Sequence, residues 1–295
     1  MKKILFACAL LLTSLVAGAQ TKIAPQMQKG MQKTYVTETI TTIAGQKPIT
    51  MTVETQYSVA DVTADGYVVD ATVTDVQTDA DQNDIVGRTL SLTTGTMKGV
   101  RTSMSTDKDG KVKKILNFGD IVRSKDQLID KLLEDIPTTP VLSKEAIREQ
   151  IAGQITEESI LQGMQMGGSP LSLNGKTIST GMQDEYLNQQ GLKMKRTFTV
   201  QKDGSIQAAS TIDMSPAEMK QMIIAQIEKL MPAQADMIKQ NIDAVLASGM
   251  LKFKMDGKET YTFQADGWVN SITSEADSDT MGQKMTVKTT VRIKQ

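Results

Sequence analysis

The sequence contains no histidine, and its single cysteine, Cys8, lies among the first residues. These two shortages remove whole branches of chemistry. A Ser-His-Asp or Cys-His nucleophile cannot be built without an imidazole base. Zinc, copper and haem lose their usual nitrogen and sulfur ligands. Aromatic residues are scarce too, with 5 Tyr, 5 Phe and 1 Trp among 295 residues, so the platforms on which sugars usually stack are few. Basic residues number 33 against 34 acidic ones. Without a basic excess or basic runs there is no electrostatic footprint for nucleic acid. The one long apolar run, Ile4 to Val16, falls short of the roughly 20 residues of a membrane-spanning helix, so no integral membrane span is expected.

That run nevertheless carries a signal. Lys2 and Lys3 precede it, and Ala17-Gly18-Ala19 follows as an A-x-A site. The three parts together read as a secretory signal peptide over 1–19, cleaved between Ala19 and Gln20. The mature chain is then expected in the periplasm or outside the cell. Cys8 follows Phe6-Ala7 near the start of the run, not at its end after small residues, so a lipoprotein anchor is not expected. Its removal leaves a chain without disulfides. Losing residues 1–19 takes away two lysines and no acid, shifting the formal net charge from −1 to −3.

What fills the remainder is hairpin chemistry. Asp-Gly pairs at 65–66, 109–110, 203–204, 256–257 and 266–267 each sit between segments that alternate apolar and polar residues. Asp-Gly tolerates the positive φ of tight turns, so each pair predicts a hairpin. The strands expected are KTYVTETITTI, ITMTVETQYSVADV, YVVDATVTDVQT, RTLSLTT, GVRTSMST, KVKKILNF, LKMKRTFTVQ, SIQAASTIDM, MLKFKM, KETYTFQA, WVNSITSEA and KMTVKTTVRIK. Their Thr and Val content suits a pleated, half-buried surface, and one-sided alternation leaves one face packed and one wet. Helices are predicted from Ser124 (with Gln127 closing a capping box), from Ser143 through Ile147, Ile151, Ile155 and Ile160 or Leu161, and from Ser215, with Pro216 and Glu218 completing the start signal. A further helix follows Pro232 and ends near Gly249.

Strands, helices, hairpin, helices, strands argue an α+β fold: a curved antiparallel β-sheet with amphipathic helices packed on one face. Residues 20–295 form a single domain on this reading. Two similar halves, 20–165 and 185–295, joined by the Gly/Ser-rich connection 166–184, stand as the alternative.

Carboxylate chemistry survives the opening exclusions but finds no motif. DADQND begins like a calcium loop, yet Asp84 stands where glycine is needed and Leu90 where glutamate is needed. Ser105-x-x-Lys108 lacks its companion motifs. No catalytic residue, metal ligand or cofactor is assigned, and a carboxylate-dependent hydrolase is the remote enzymatic alternative.

Methionine is abundant, with 19 in the chain. On the helix after Ser215, Met219, Met222, Ile223, Ile227, Leu230 and Met231 line one stripe. Such a stripe packs a core, or walls an adaptable apolar groove. Periplasmic carriers of acyl chains cup helices in a curved antiparallel sheet in this way. The partner expected is therefore a hydrophobic or lipid-like small molecule. A scaffold contacting an envelope protein, with no small-molecule ligand, is the rival.

The succession YVVDATVTDV, DKDGKVKKI, FQADGWVNSITSEAD and KMTVKTTVRIK resembles a group of secreted domains of unknown function from the Bacteroides and Flavobacterium lineage. The resemblance implies periplasmic or outer-surface placement and a sheet-dominated α+β fold, and it transfers no catalytic residues.

Overall fold

The computed structural model describes residues 20–81, 94–95, 97–135, 148, 156–165, 168–187, 193–212, 215–230, 236, 239–240, 242, 253–280 and 283–294. Among the described residues eleven strands form one open antiparallel sheet. From one edge to the other they are β6 (Val112–Ile115), β5 (Arg101–Thr106), β4 (Tyr67–Thr78), β3 (Ile49–Val62), β2 (Gln32–Ile43), β13 (Gln283–Ile293), β12 (Val269–Thr280), β11 (Phe253–Phe263), β10 (Ile206–Ile212), β9 (Lys193–Val200) and β8 (Gln183–Leu187). Every neighbouring pair is adjacent in sequence except β2 with β13. The first and last long strands therefore meet in the middle of the sheet, and both edges come from the middle of the chain. A two-stranded ribbon of β1 (Thr21–Lys22) and β7 (Thr177–Ile178) lies apart. The helices whose bounds fall within the described residues are α1 (Phe118–Asp135), α2 (Glu157–Gln165) and α3 (Pro216–Leu230).

The alternation read in the sequence sorts the two faces. Met194, Arg196 and Phe198 are buried on β9, and Ile206, Ala208 and Ser210 on β10, with the residues between them more exposed. Register carries this inner face across the sheet to Tyr261, Ile272, Val291, Tyr35, Tyr57, Val59, Val69 and Met104. The opposite face carries charged and hydroxyl ladders such as Glu275–Lys288 and Asp277–Thr286. From the helices, Phe118, Ile121, Ile160, Leu161 and Met164 pack against the buried cluster.

Four of the five Asp-Gly pairs turn hairpins, between β3 and β4, β5 and β6, β9 and β10, and β11 and β12. Asp256-Gly257 does not. It runs through the interior of β11, paired on both sides, with Gly257 opposite Ser210 and Ala276. Two-sided ladder bonding overrides the local turn preference there, and the described part of MLKFKM runs on into KETYTF as one strand, Phe253–Phe263.

The helix starts also move. Helix α1 begins six residues before Ser124, which is thus internal and not a cap. Its entry is set by Asn117, whose carbonyl accepts from the Asp120 and Ile121 amides while its side chain bonds Ser103 N and Arg101 O on β5. Helix α2 begins after Thr156, whose hydroxyl accepts from Ser159 N at 3.0 Å. The start of the predicted helix from Ser143 lies outside the described residues. At α3 the capping box forms as read: Glu218 N bonds Ser215 Oγ at 3.2 Å, and Ser215 N bonds the Glu218 carboxylate at 2.7 Å. Most of RTLSLTT lies outside the described residues, while its last residue, Thr94, is helical.

The stretch 166–184 holds more than a connection. Pro170, Leu171, Ser172, Leu173 and Asn174 are buried, and the stretch contributes β7 and the start of β8. Asn174 Nδ2 donates to Gly110 O in the β5–β6 turn, Gly175 N to Ile23 O, and Gly181 N to Phe198 O on β9.

Candidate functional site

Beside this buried stretch lies a cavity of about 380 Å3. The sheet supplies one wall through Tyr35 and Thr37 on β2, Thr55 and Tyr57 on β3, and Thr289 on β13. These residues share the inner face by register, since Tyr35 pairs with Thr55 and Thr289 with Thr39, two residues beyond Thr37. The other wall is α2, through Ile160, Gly163 and Met164, followed by Gly168, Ser169 and Pro170. Ile160 and Met164 stand one helical turn apart, so both project toward the sheet. Gly163 leaves the mouth open, because a Cβ placed on it meets nothing within 4 Å.

The two tyrosines set the floor. Their rings meet edge to face, 5.7 Å between centroids at 87°. Tyr35 donates to the Val269 carbonyl at 2.7 Å. Burial pushes the Tyr57 phenol up to about 12, opposed by a hydrogen bond with Ser169. Burial also raises Tyr35. Both are neutral phenols at physiological pH.

Further along the same inner face sits a charged cluster. Arg196, 1% exposed, holds the Asp184 carboxylate with two nitrogens at 3.0 and 2.9 Å, and reaches Glu259 at 3.4 Å. Its guanidinium carbon lies 4.9 Å from the Phe198 ring centroid and 5.2 Å from that of Tyr186. Tyr261 donates to Glu259 at 2.6 Å, and Lys176 to Asp184 at 2.6 Å. Burial alone would raise the Asp184 carboxyl, but the hydrogen bonds and charges of Arg196 and Lys176 prevail and hold it below its ordinary value. Two strongly bound carboxylates around one arginine describe an internal clamp, closed on itself.

The helix expected to carry the ligand stripe forms, but its described part does not reach this cavity. Met222 on α3 is half-buried and outside the lining. The side chains of Met219, Ile223, Ile227 and Leu230, and Met231 altogether, lie outside the described residues. Sequence reasoning missed Gly163, Met164 and Gly168–Pro170 as lining. The signal available was the apolar alternation of PLSL, which a solvated connection would not need. Among the described residues no group of three or more metal-binding side chains is gathered, and no helix is long and apolar enough to cross a membrane.

No family model matches the chain, and no curated protein matches it. Among solved structures the chain is similar to lipovitellin, in a study of its lipid–protein interactions, at 8% identity and a TM-score of 0.40, over 92% of this chain. It spans 26% of the lipovitellin chain. A porin-like protein from Bacteroides uniformis is matched at 10% identity and a TM-score of 0.21, over 91% of this chain and 98% of its own. At such scores neither likeness informs fold or function.

Proposed function

We propose that this is a non-enzymatic binding protein of the cell envelope, taking a hydrophobic or lipid-like molecule between the inner sheet face and α2. The observation that carries the reading is the cavity of about 380 Å3 bounded by Ile160, Met164 and Pro170 on one side and the sheet on the other. That volume lies in the range of small-molecule sites, roughly 300–1,000 Å3. The signal-peptide pattern of residues 1–19 supports export.

A rolled sheet belongs to the same proposal, and Pro25 supports it. Pro25 lies 3.2 Å from the place a Cβ would take on Gly110, in the β5–β6 turn, and 3.1 Å from that place on Gly267, in the β11–β12 turn. Through one proline ring the two turns stand within about 12 Å of each other. Six strand spacings separate them, which in a flat sheet amounts to about 29 Å. A sheet curled around the residues between, forming a trough, accounts for that close approach.

Native mass spectrometry of protein purified from its own host tests the reading. The expected result is an added mass that organic extraction removes and that identifies as an apolar small molecule. A bare-chain mass that persists after incubation with lipid extract refutes the proposal and leaves the sheet as a scaffold.

A further inference from the structure

We infer that the ligand is uncharged: a neutral amphiphile with an apolar chain and a hydroxyl or ester head, as in a fatty alcohol or monoacylglycerol. This rests on the binding role proposed above and narrows its substrate class. None of the described lining residues is ionisable at physiological pH. The polar part of the lining is hydroxyl: Thr37, Thr55, Thr289, Ser169 and the two phenols. Hydroxyls both donate and accept, which matches an alcohol or an ester carbonyl. An ionised carboxylate or phosphate brought to the same place would shed its water without meeting a cation, a penalty no neutral head incurs.

Among the described residues the nearby cations offer no remedy, because Lys33, Arg196 and Lys176 are each already held. Lys33, opposite Tyr57 in register, donates to Asp266 at 2.7 Å and Gln264 at 2.9 Å. Arg196 is clamped by Asp184 and Glu259, and Lys176 by Asp184. Two lining hydroxyls, by contrast, are available. Among the described residues those of Thr37 and Thr55 have no hydrogen-bond partner, whereas Thr289 lies 3.4 Å from Thr39 Oγ1. A sugar is disfavoured by the same floor: Tyr35 and Tyr57 are 1% and 7% exposed, so neither presents a ring face for stacking.

Displacement of bound Nile red from the purified protein at pH 8 tests this, with 1-monooleoylglycerol, oleate and dioleoylphosphatidylglycerol as competitors. The expected result is a Kd for monooleoylglycerol at least tenfold below those of the two anionic lipids. The Thr37→Val/Thr55→Val variant should lose most of that preference while keeping the wild-type urea midpoint. Oleate or phosphatidylglycerol competing as well as the neutral lipid overturns the inference and leaves the binding role standing. Failure of the dye and of all three lipids to bind overturns both. A double variant that binds with unchanged preference overturns the role given to the two hydroxyls.

Discussion

Replacing Arg196 by methionine removes the fully buried cation of the clamp while nearly preserving apolar length. Asp184 keeps Lys176, 2.6 Å away, and is 20% exposed. Glu259, 7% exposed, is left with the Tyr261 hydroxyl alone. Stranding a buried charge costs about 3–5 kcal/mol, against a total stability of roughly 5–15 kcal/mol for a domain. The variant should therefore fold, with a much lower urea midpoint. Removing the stranded charge as well, in Arg196→Met/Glu259→Gln, should recover about 1–3 kcal/mol, a coupling typical of contacting groups. Trp268 provides the assay. It is the only tryptophan, 2% exposed, with its indole N–H on the Gln26 carbonyl at 2.9 Å, so its fluorescence reports core opening. Acid gives an independent check. Because the folded value of Asp184 is depressed, its contribution is present above about pH 4, the unfolded value, and is lost as pH falls through the folded one. Wild type should lose stability below pH 4 more steeply than Arg196→Met. A single-variant cost below about 1 kcal/mol, or strict additivity in the double variant, would refute a clamp in which the charges depend on one another.

Gly163→Phe should keep or slightly raise the melting temperature, since glycine is a poor helix residue and open space surrounds the site, while Nile red binding is lost by occlusion. Alkaline titration should destabilise the fold between about pH 10 and 12: Tyr57 is raised to about 12, so its contribution of about 2–3 kcal/mol disappears as pH climbs from the unfolded value to the folded one. Tyrosinate absorbance at 295 nm, rising late and together with unfolding, checks this. Gly66→Ala should cost on the order of 3 kcal/mol, because its Cβ would fall 2.0 Å from the Thr106 carbonyl oxygen. Gly204→Ala, at φ +82 with nothing within 4 Å, should cost only about 1 kcal/mol. Urea midpoints of the pair separate collision from backbone strain.

Much of the sheet was legible because local chemistry and global pairing agree in it. ITMTVETQYSVADV and YVVDATVTDVQT match β3 and β4 end to end, since a tight turn lies between them and most of their residues alternate, with irregularities in the ladder only at Glu54/Thr55 and Val59/Asp61. Asp256-Gly257 failed for the opposite reason: neighbouring strands on both sides supply hydrogen bonds that no local rule weighs. Ser124 offered a plausible cap, but Phe118 and Ile121 bury against the core and draw the helix start forward to Asn117. The candidate site was harder still. Its lining comes from β2, β3, β13, α2 and a stretch rich in glycine and serine, and the β2–β13 pairing that brings three of these side by side is a long-range contact no local pattern announces. The methionine stripe on α3 was the louder signal in one dimension, and the described cavity does not use Met222.

The join between β2 and β13 sets an order of events during synthesis. Thr39 and Thr289 touch across it although 250 residues separate them, so this ladder is the slowest to close and the last for which partners exist. Until β13 is made, β2 carries a bare row of amides and carbonyls in what becomes the centre of the wall, an invitation to pair with the wrong chain. A nascent molecule therefore needs an escort, or a fast exit into dilute surroundings, for as long as that gap stays unzipped.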